Sequence, residues 1–139
     1  MAMQKETVVT ETDRARLNEM IRSLRVVGDP FRAHLRELED QLRRATVVPA
    51  SRVDRDVVTM DSRVRLLDLN TRRTETLSLV YHGEAGMFGT RLSVLSPLGV
   101  RVLGSRVGDV IEWPVPCGLR RLRIQSVLYQ PEAAGDYNV

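Results

Sequence analysis

S-V-L-S-P-L-G-V-R-V-L-G-S-R-V-G-D, residues 93–109, decides how the rest of the chain is read. Ser93, Val94 and Leu95 finish an extended segment. Ser96 suits an N-cap and Pro97 the first helical position, where the missing proline N–H is no loss. Leu98, Val102 and Leu103 then face inward on a helix of about two turns, and Gly104 suits the position just past its end. Gly108-Asp109 marks a turn into the apolar run Val110, Ile111, Trp113. No reactive group occurs in the stretch, so it reads as scaffold and not as a catalytic element.

Working outward, the flanking segments have the two-residue period of strands. Val64 and Leu66 alternate with Arg63 and Arg65. Residues 70–73 form a turn, and 74–81 are rich in β-formers with Leu77 and Leu79 on one face. Residues 82–89 read as a loop and 91–95 as the next strand. Residues 110–115, closed by Pro114 and Pro116, lead through a turn at Gly118 to a last strand over 119–129. There Leu122, Ile124 and Leu128 point inward and Arg121, Arg123 and Gln125 outward. The tail 131–139 is expected to be mostly coil.

The N-terminal third has a helical period. Residues 1–9 look like a frayed lead-in. Thr10 and Asp13 have the spacing of a capping box, with Asp in place of the usual Glu. Leu17, Met20, Ile21 and Leu24 form the stripe of an amphipathic helix over about 11–25. Val26, Val27 and Gly28 break the pattern. Asp29 is a good N-cap and Pro30 a good first residue for a second helix over about 30–46. In it Phe31, Leu35, Leu38, Leu42 and Ala45 form a heptad seam. The short connection makes the two helices antiparallel neighbours, a stubby coiled-coil hairpin with Val27, Gly28, Asp29 and Pro30 at its tip. Each arm is about 20–24 Å long at the helical rise, too little to bury a core alone, so the hairpin should lean on the C-terminal domain. The expected fold class is therefore α+β. A helical hairpin (1–48) and a linker (49–55) precede an antiparallel sheet domain carrying one helix (56–130), with a tail beyond.

Composition excludes several functions. The chain has 139 residues, 42% hydrophobic and 28% charged, the balance of an ordinary soluble domain. No apolar run approaches the roughly 20 residues a membrane span needs. The N-terminus lacks an apolar signal core, and the single cysteine, Cys117, excludes an internal disulfide; both fit a cytoplasmic protein. The net charge is +3 and the pI about 9.6. Basic and acidic residues alternate along the chain, which reads as a mixed solvated surface; direct nucleic-acid binding is not expected.

Candidates for chemistry are few. His34 flanks the helical seam and His82 sits in a loop, without the three or four ligands a metal site needs. The glycines form neither a dinucleotide nor a Walker pattern, and Ser93 and Ser96 lack a nucleophile-elbow context. Trp113 reads as core and Cys117 as a spectator thiol. No cofactor, metal, catalytic residue or small-molecule substrate is expected, and the chain looks like a binding module.

From Ser62 onward the sequence resembles the C-terminal domain of the bacterial Gre transcript-cleavage factors. The carrying residues are the 93–109 stretch and P-V-P-C-G-L-R-R-L-R-I-Q-S-V-L-Y (114–129). Within that superfamily it is most similar to the Rnk family, regulators of nucleoside diphosphate kinase. This likeness rests on D-V-V-T-M-D-S-R-V-R (56–65), T-L-S-L-V-Y (76–81), V-G-D-V-I-E-W (107–113) and Y-Q-P-E-A-A-G-D-Y (129–137).

The resemblance implies an FKBP-like C-terminal domain behind a coiled coil, and a cytoplasmic protein that docks on RNA polymerase near its secondary channel. Carried over by position, the docking segment is Ser93, Leu95, Ser96, Pro97 and Leu98, with Leu95 standing where Gre factors often have an acid. Gre factors deliver a pair of acidic residues to the polymerase active site at the tip of a long coiled coil. Here the arms are short and the tip holds a single acid, Asp29, so stimulation of transcript cleavage should not transfer. The expected function is a non-enzymatic polymerase-binding regulator, acting on nucleoside diphosphate kinase indirectly. The alternatives are an active cleavage factor and a direct binder of a nucleotide-metabolism enzyme or of nucleic acid, the last two demanded by no sequence feature.

Overall fold

The structure, a computed structural model, describes residues 6–27, 32–82 and 90–136. The readings for Gly28, Asp29, Pro30, Phe31 and the 83–89 loop lie outside the described residues, as does the side chain of Trp113.

A short strand β1 (Val8–Thr10) leads into helix α1 (Glu11–Val27); helix α2 (Arg32–Arg44) returns to strand β2 (Thr46–Val48). Val8 and Val9, expected in a frayed lead-in, are thus strand residues. β1 and β2 pair in parallel at the base of the hairpin, Val9 opposite Val47, and Val8 and Val9 are buried. Two β-branched triplets gain strand structure only because the hairpin brings its own ends together. Thr10 caps α1, its hydroxyl accepting from the Asp13 N–H at 3.0 Å. Leu17 and Ile21 of α1 face Leu35, Leu38 and Leu42 of α2 across the seam, all buried. Val26, near the far end, is 86% exposed.

A 3₁₀ turn at Ala50–Arg52 leads to an irregular stretch and then to strands β3 (Arg63–Asp68), β4 (Thr74–Val80) and β5 (Arg91–Ser93). Helix α3 (Pro97–Val102), strands β6 (Val110–Val115) and β7 (Gly118–Tyr129) and helix α4 (Pro131–Ala134) complete the chain. The sheet order is β5-β4-β3-β7-β6. Every neighbour is antiparallel except one: β5 runs parallel to β4, Leu92 opposite Leu79. This corrects the all-antiparallel expectation. The chain between 80 and 91 is long enough to return to the same end of the sheet, which a tight hairpin turn cannot do.

The β3–β4 turn is held by Asp68, whose carboxylate accepts from the N–H groups of Thr71 and Asn70. The Thr71 bond, ahead of the others, holds its pKa below the usual carboxylate range. Pro114 lies on an edge strand, where a missing donor is tolerated. The start of the tail is helical where coil was expected. Pro131 starts α4, Gln130 caps it by accepting from the Ala133 N–H, and the Gln130 amide donates to the Asp54 and Val57 carbonyls.

One core joins hairpin and sheet. Leu17, Leu38, Val58, Met60, Leu66, Leu103, Leu122 and Ile124 are all buried in a single cluster. Each such side chain contributes about 1.5–3 kcal/mol through burial, so the hairpin draws stability from the sheet it leans on.

Candidate functional site

The 93–104 corner is built on close approach. Ser96 is the N-cap of α3: its hydroxyl accepts from the Gly99 N–H at 2.9 Å and donates to the Ser93 carbonyl at 2.7 Å. The Ser93 hydroxyl accepts from the Leu95 N–H at 3.1 Å. Both serines are therefore engaged with backbone groups, as turn and cap residues and not as nucleophiles. Gly99 has no substitute here, since a Cβ would lie 1.9 Å from the Ser93 carbonyl oxygen. Gly104, at φ +78°, closes the helix; its Cβ would lie 2.5 Å from the Thr7 side chain. Its N–H donates to the Val58 carbonyl, and its carbonyl accepts from Val8.

The segment implied as the docking surface divides in two. Pro97 is exposed, and Ser93, Ser96 and Leu98 are half-buried on the same corner. Leu95 is only 4% exposed and packs into the core, so its side chain has no surface to offer a partner.

The hairpin is fixed to this corner by residues that sequence reasoning missed. The Gln41 amide on α2 donates to the carbonyls of Val100 and Leu103, capping the C-terminal end of α3. Arg101 of α3 donates to the Pro97 carbonyl and pairs with Glu37 of α2 at 3.3 Å. On the other side Asp13 of α1, 5% exposed, does not reach back to its own cap as the capping box requires. Its carboxylate accepts from the Met60 N–H at 3.0 Å. Burial pushes its pKa up to about 6, against the pull of that bond; Glu132 and Asp61 raise it further and Arg16 opposes them. Tyr81, beside this group, is also raised by burial. The Thr10–Asp13 spacing was a signal for Asp13. Nothing local marks Gln41, whose partners lie far along the chain.

At the far end of the hairpin Arg25 pairs with Glu39, tying the arms together, and α1 ends at Val27. The 17 residues of α1 and 13 of α2 make arms of about 25 and 20 Å. His34 and His82 are half-buried and Cys117 is exposed. Among the described residues no helix is long and apolar enough to cross a membrane.

Comparison with known proteins gives the same division. A family described as "Transcription elongation factor, GreA/GreB, C-term" matches residues 53–129, and one described as "Rnk N-terminus" matches 6–48. The chain belongs to the GreA/GreB family, with a Rnk-type N-terminus. It is 35% identical over 131 residues to the "Regulator of nucleoside diphosphate kinase" of Escherichia coli strain K12, covering 94% of both chains. It is 33% identical to "Transcription elongation factor GreA" of Clostridium perfringens strain SM101, covering 66% of this chain and 58% of that one. The chain thus spans little more than half of this GreA relative. A solved GreA/GreB transcription elongation factor from Nitrosomonas europaea superposes with a TM-score of 0.74 at 34% identity, covering 91% of this chain and all of that one. The GreA/GreB fold is thus present with a Rnk-type helical hairpin in front of it.

Proposed function

We propose that this chain is a non-enzymatic transcription regulator that binds RNA polymerase near the secondary channel through the Ser93, Ser96, Pro97 and Leu98 corner. It is a cytoplasmic protein that competes with Gre-type factors for that position. Its effect on nucleoside diphosphate kinase, the enzyme named in its Escherichia coli relative, arises indirectly through transcription. The observation that carries this reading is a GreA/GreB domain whose capped corner is fixed to a hairpin with arms of only about 25 Å or less. Such an arm is too short to carry a metal-holding tip deep into the enzyme, so the domain binds without stimulating cleavage.

Pull-down with core polymerase tests the first half. The wild type is retained, and Ser96→Arg or Pro97→Arg is not; a wild type that fails to bind overturns the reading. Adding saturating protein to stalled elongation complexes tests the second half. Transcripts keep their length, and shortening that is lost in Asp29→Ala would instead make this an active cleavage factor.

A further inference from the structure

We propose that the open face of the five-stranded sheet binds the phosphate backbone of a nucleic-acid duplex without reading its sequence. In the linear sequence, opposite charges alternate. The fold separates them.

The strand register places Arg91, Ser78 and Arg63 in one row across β5, β4 and β3. Thr76, Arg65 and Ser126 form the next row, then Thr74, Leu67, Arg123 and Val110. Arg121 stands beyond them opposite Glu112. All five of these arginines are exposed. Against them the strands set one carboxylate on this face, Glu112, which pairs with Arg121 at 3.1 Å.

Arg106 is matched to Asp54 and Asp56, Arg120 to Asp68 and Glu75, and Arg101 to Glu37. Arg63, Arg65 and Arg123 have no carboxylate within ion-pair distance among the described residues. Arg63 and Arg65 project about 6.6 Å apart on β3, and Arg121 and Arg123 do so on β7, two strands about 4.8 Å apart.

The rest of the face determines the class of partner. A protein interface needs aromatic or aliphatic anchors in a packed centre. Here the neighbours of the arginines are Thr74, Thr76, Ser78 and Ser126, with half-buried Leu67; the exposed aliphatics are dispersed, Val110 and Leu119 toward the β6 edge and Leu128, expected inward, exposed where the register shifts beside Arg63, and form no packed centre. The ring in the Arg63 row, Tyr129, is held at the margin by its hydroxyl bond to Asp136, so among the described residues no platform stacks unpaired bases. A broad face of guanidinium and hydroxyl groups suits phosphates, and it lacks the helix or ribbon that enters a groove to read bases.

The test is fluorescence anisotropy of a labelled DNA duplex with the full chain and no polymerase, over a salt series. The wild type binds two unrelated duplexes equally, with log K falling against log salt at a slope of about −4. Arg65→Gln with Arg123→Gln lowers that slope by about 2, while Arg43→Gln with Arg44→Gln on α2 leaves it unchanged. Circular dichroism checks that each variant is folded. No binding at about 50 mM salt, or a double variant with the wild-type slope, overturns the proposal. If DNA is not bound and the Arg65/Arg123 variant loses polymerase instead, the proposal also falls and the face belongs to an acidic protein surface. Because the DNA titration contains no polymerase, its outcome is independent of the docking reading.

Discussion

The corner at the hairpin root and the open face of the sheet use similar residues for opposite ends. At the root every polar group named above is committed: Arg101 to Pro97 and Glu37, Gln41 to two helix carbonyls, Asp13 to Met60, Ser96 to its cap. On the open face Arg63, Arg65 and Arg123 stand on regular strands beside Thr and Ser and hold no carboxylate among the described residues. An exposed ion pair contributes little stability, but it removes a cation from service. The root fixes where the hairpin stands relative to the corner. The face keeps charge available for something outside the molecule. Substitutions at the root should change stability, and substitutions on the face should change binding alone.

The hardest way to break the root is Gly99→Ala. The added Cβ would sit 1.9 Å from the Ser93 carbonyl oxygen, so β5 and α3 cannot both stay in place. Chemical denaturation should show a loss of about 4 kcal/mol or more, at the exceptional end for single substitutions. A loss under about 1 kcal/mol would mean that the corner yields easily and that its rigidity is not a structural requirement.

Asp13→Asn tests the other side of the root. The folded state holds the Asp13 proton up to about pH 6, the unfolded chain only to its ordinary 3.8. Folding therefore takes up a proton between these values, and stability falls as pH rises through that window. The full penalty, about 3 kcal/mol by linkage, is present above pH 6 and absent below 3.8. Asn keeps an acceptor for the Met60 N–H and sheds the charge. The variant should be more stable than the wild type at pH 7.5, and its urea midpoint should change less between pH 4 and 7.5. An unchanged pH profile would place the titration elsewhere.

How far the sequence could be read depended on how far apart the partners were. The α3 cap was legible because Ser96, Pro97 and Gly104 act within one short stretch, and the hairpin seam because Leu35, Leu38 and Leu42 repeat at fixed spacing. β1 and β2 were not, because Val8–Thr10 and Thr46–Val48 become strands only when the helices between them fold back. The spacing to Thr10 found the Asp13 backbone bond but not the destination of its carboxyl, which is Met60. Leu95 entered the docking set by position, and only packing reveals it as core. The period of β3 and β7 showed arginines facing outward on each strand. That the two strands are neighbours, which gathers those arginines into one face, is a fact of topology.

A milder perturbation of the root is Ser96→Ala. It removes the acceptor for Gly99 N–H and the donor to the Ser93 carbonyl while leaving the backbone unobstructed. The expected loss is about 1 kcal/mol, the usual contribution of an N-cap. Because Ser96 is half-buried, polymerase retention should fall less in this variant than in Ser96→Arg, which also obstructs the surface. Equal losses of retention in both would mean that the cap geometry, and not the exposed corner, is what the partner needs.

The smallest expected effect on stability sharpens the contrast most. Arg65→Gln with Arg123→Gln alters two exposed side chains without carboxylate partners among the described residues, so no buried group is orphaned and no packing is lost. The unfolding free energy should move by less than about 0.5 kcal/mol in either direction. Relief of repulsion among arginines on one face even favours a slight gain, largest at low salt where screening is weakest. A clear destabilisation would mean that these guanidiniums brace the sheet from within, and the separation between a committed root and an available face would collapse. A neutral result in urea, joined to a reduced salt slope on DNA, is the pairing that a face held in reserve for an external partner requires.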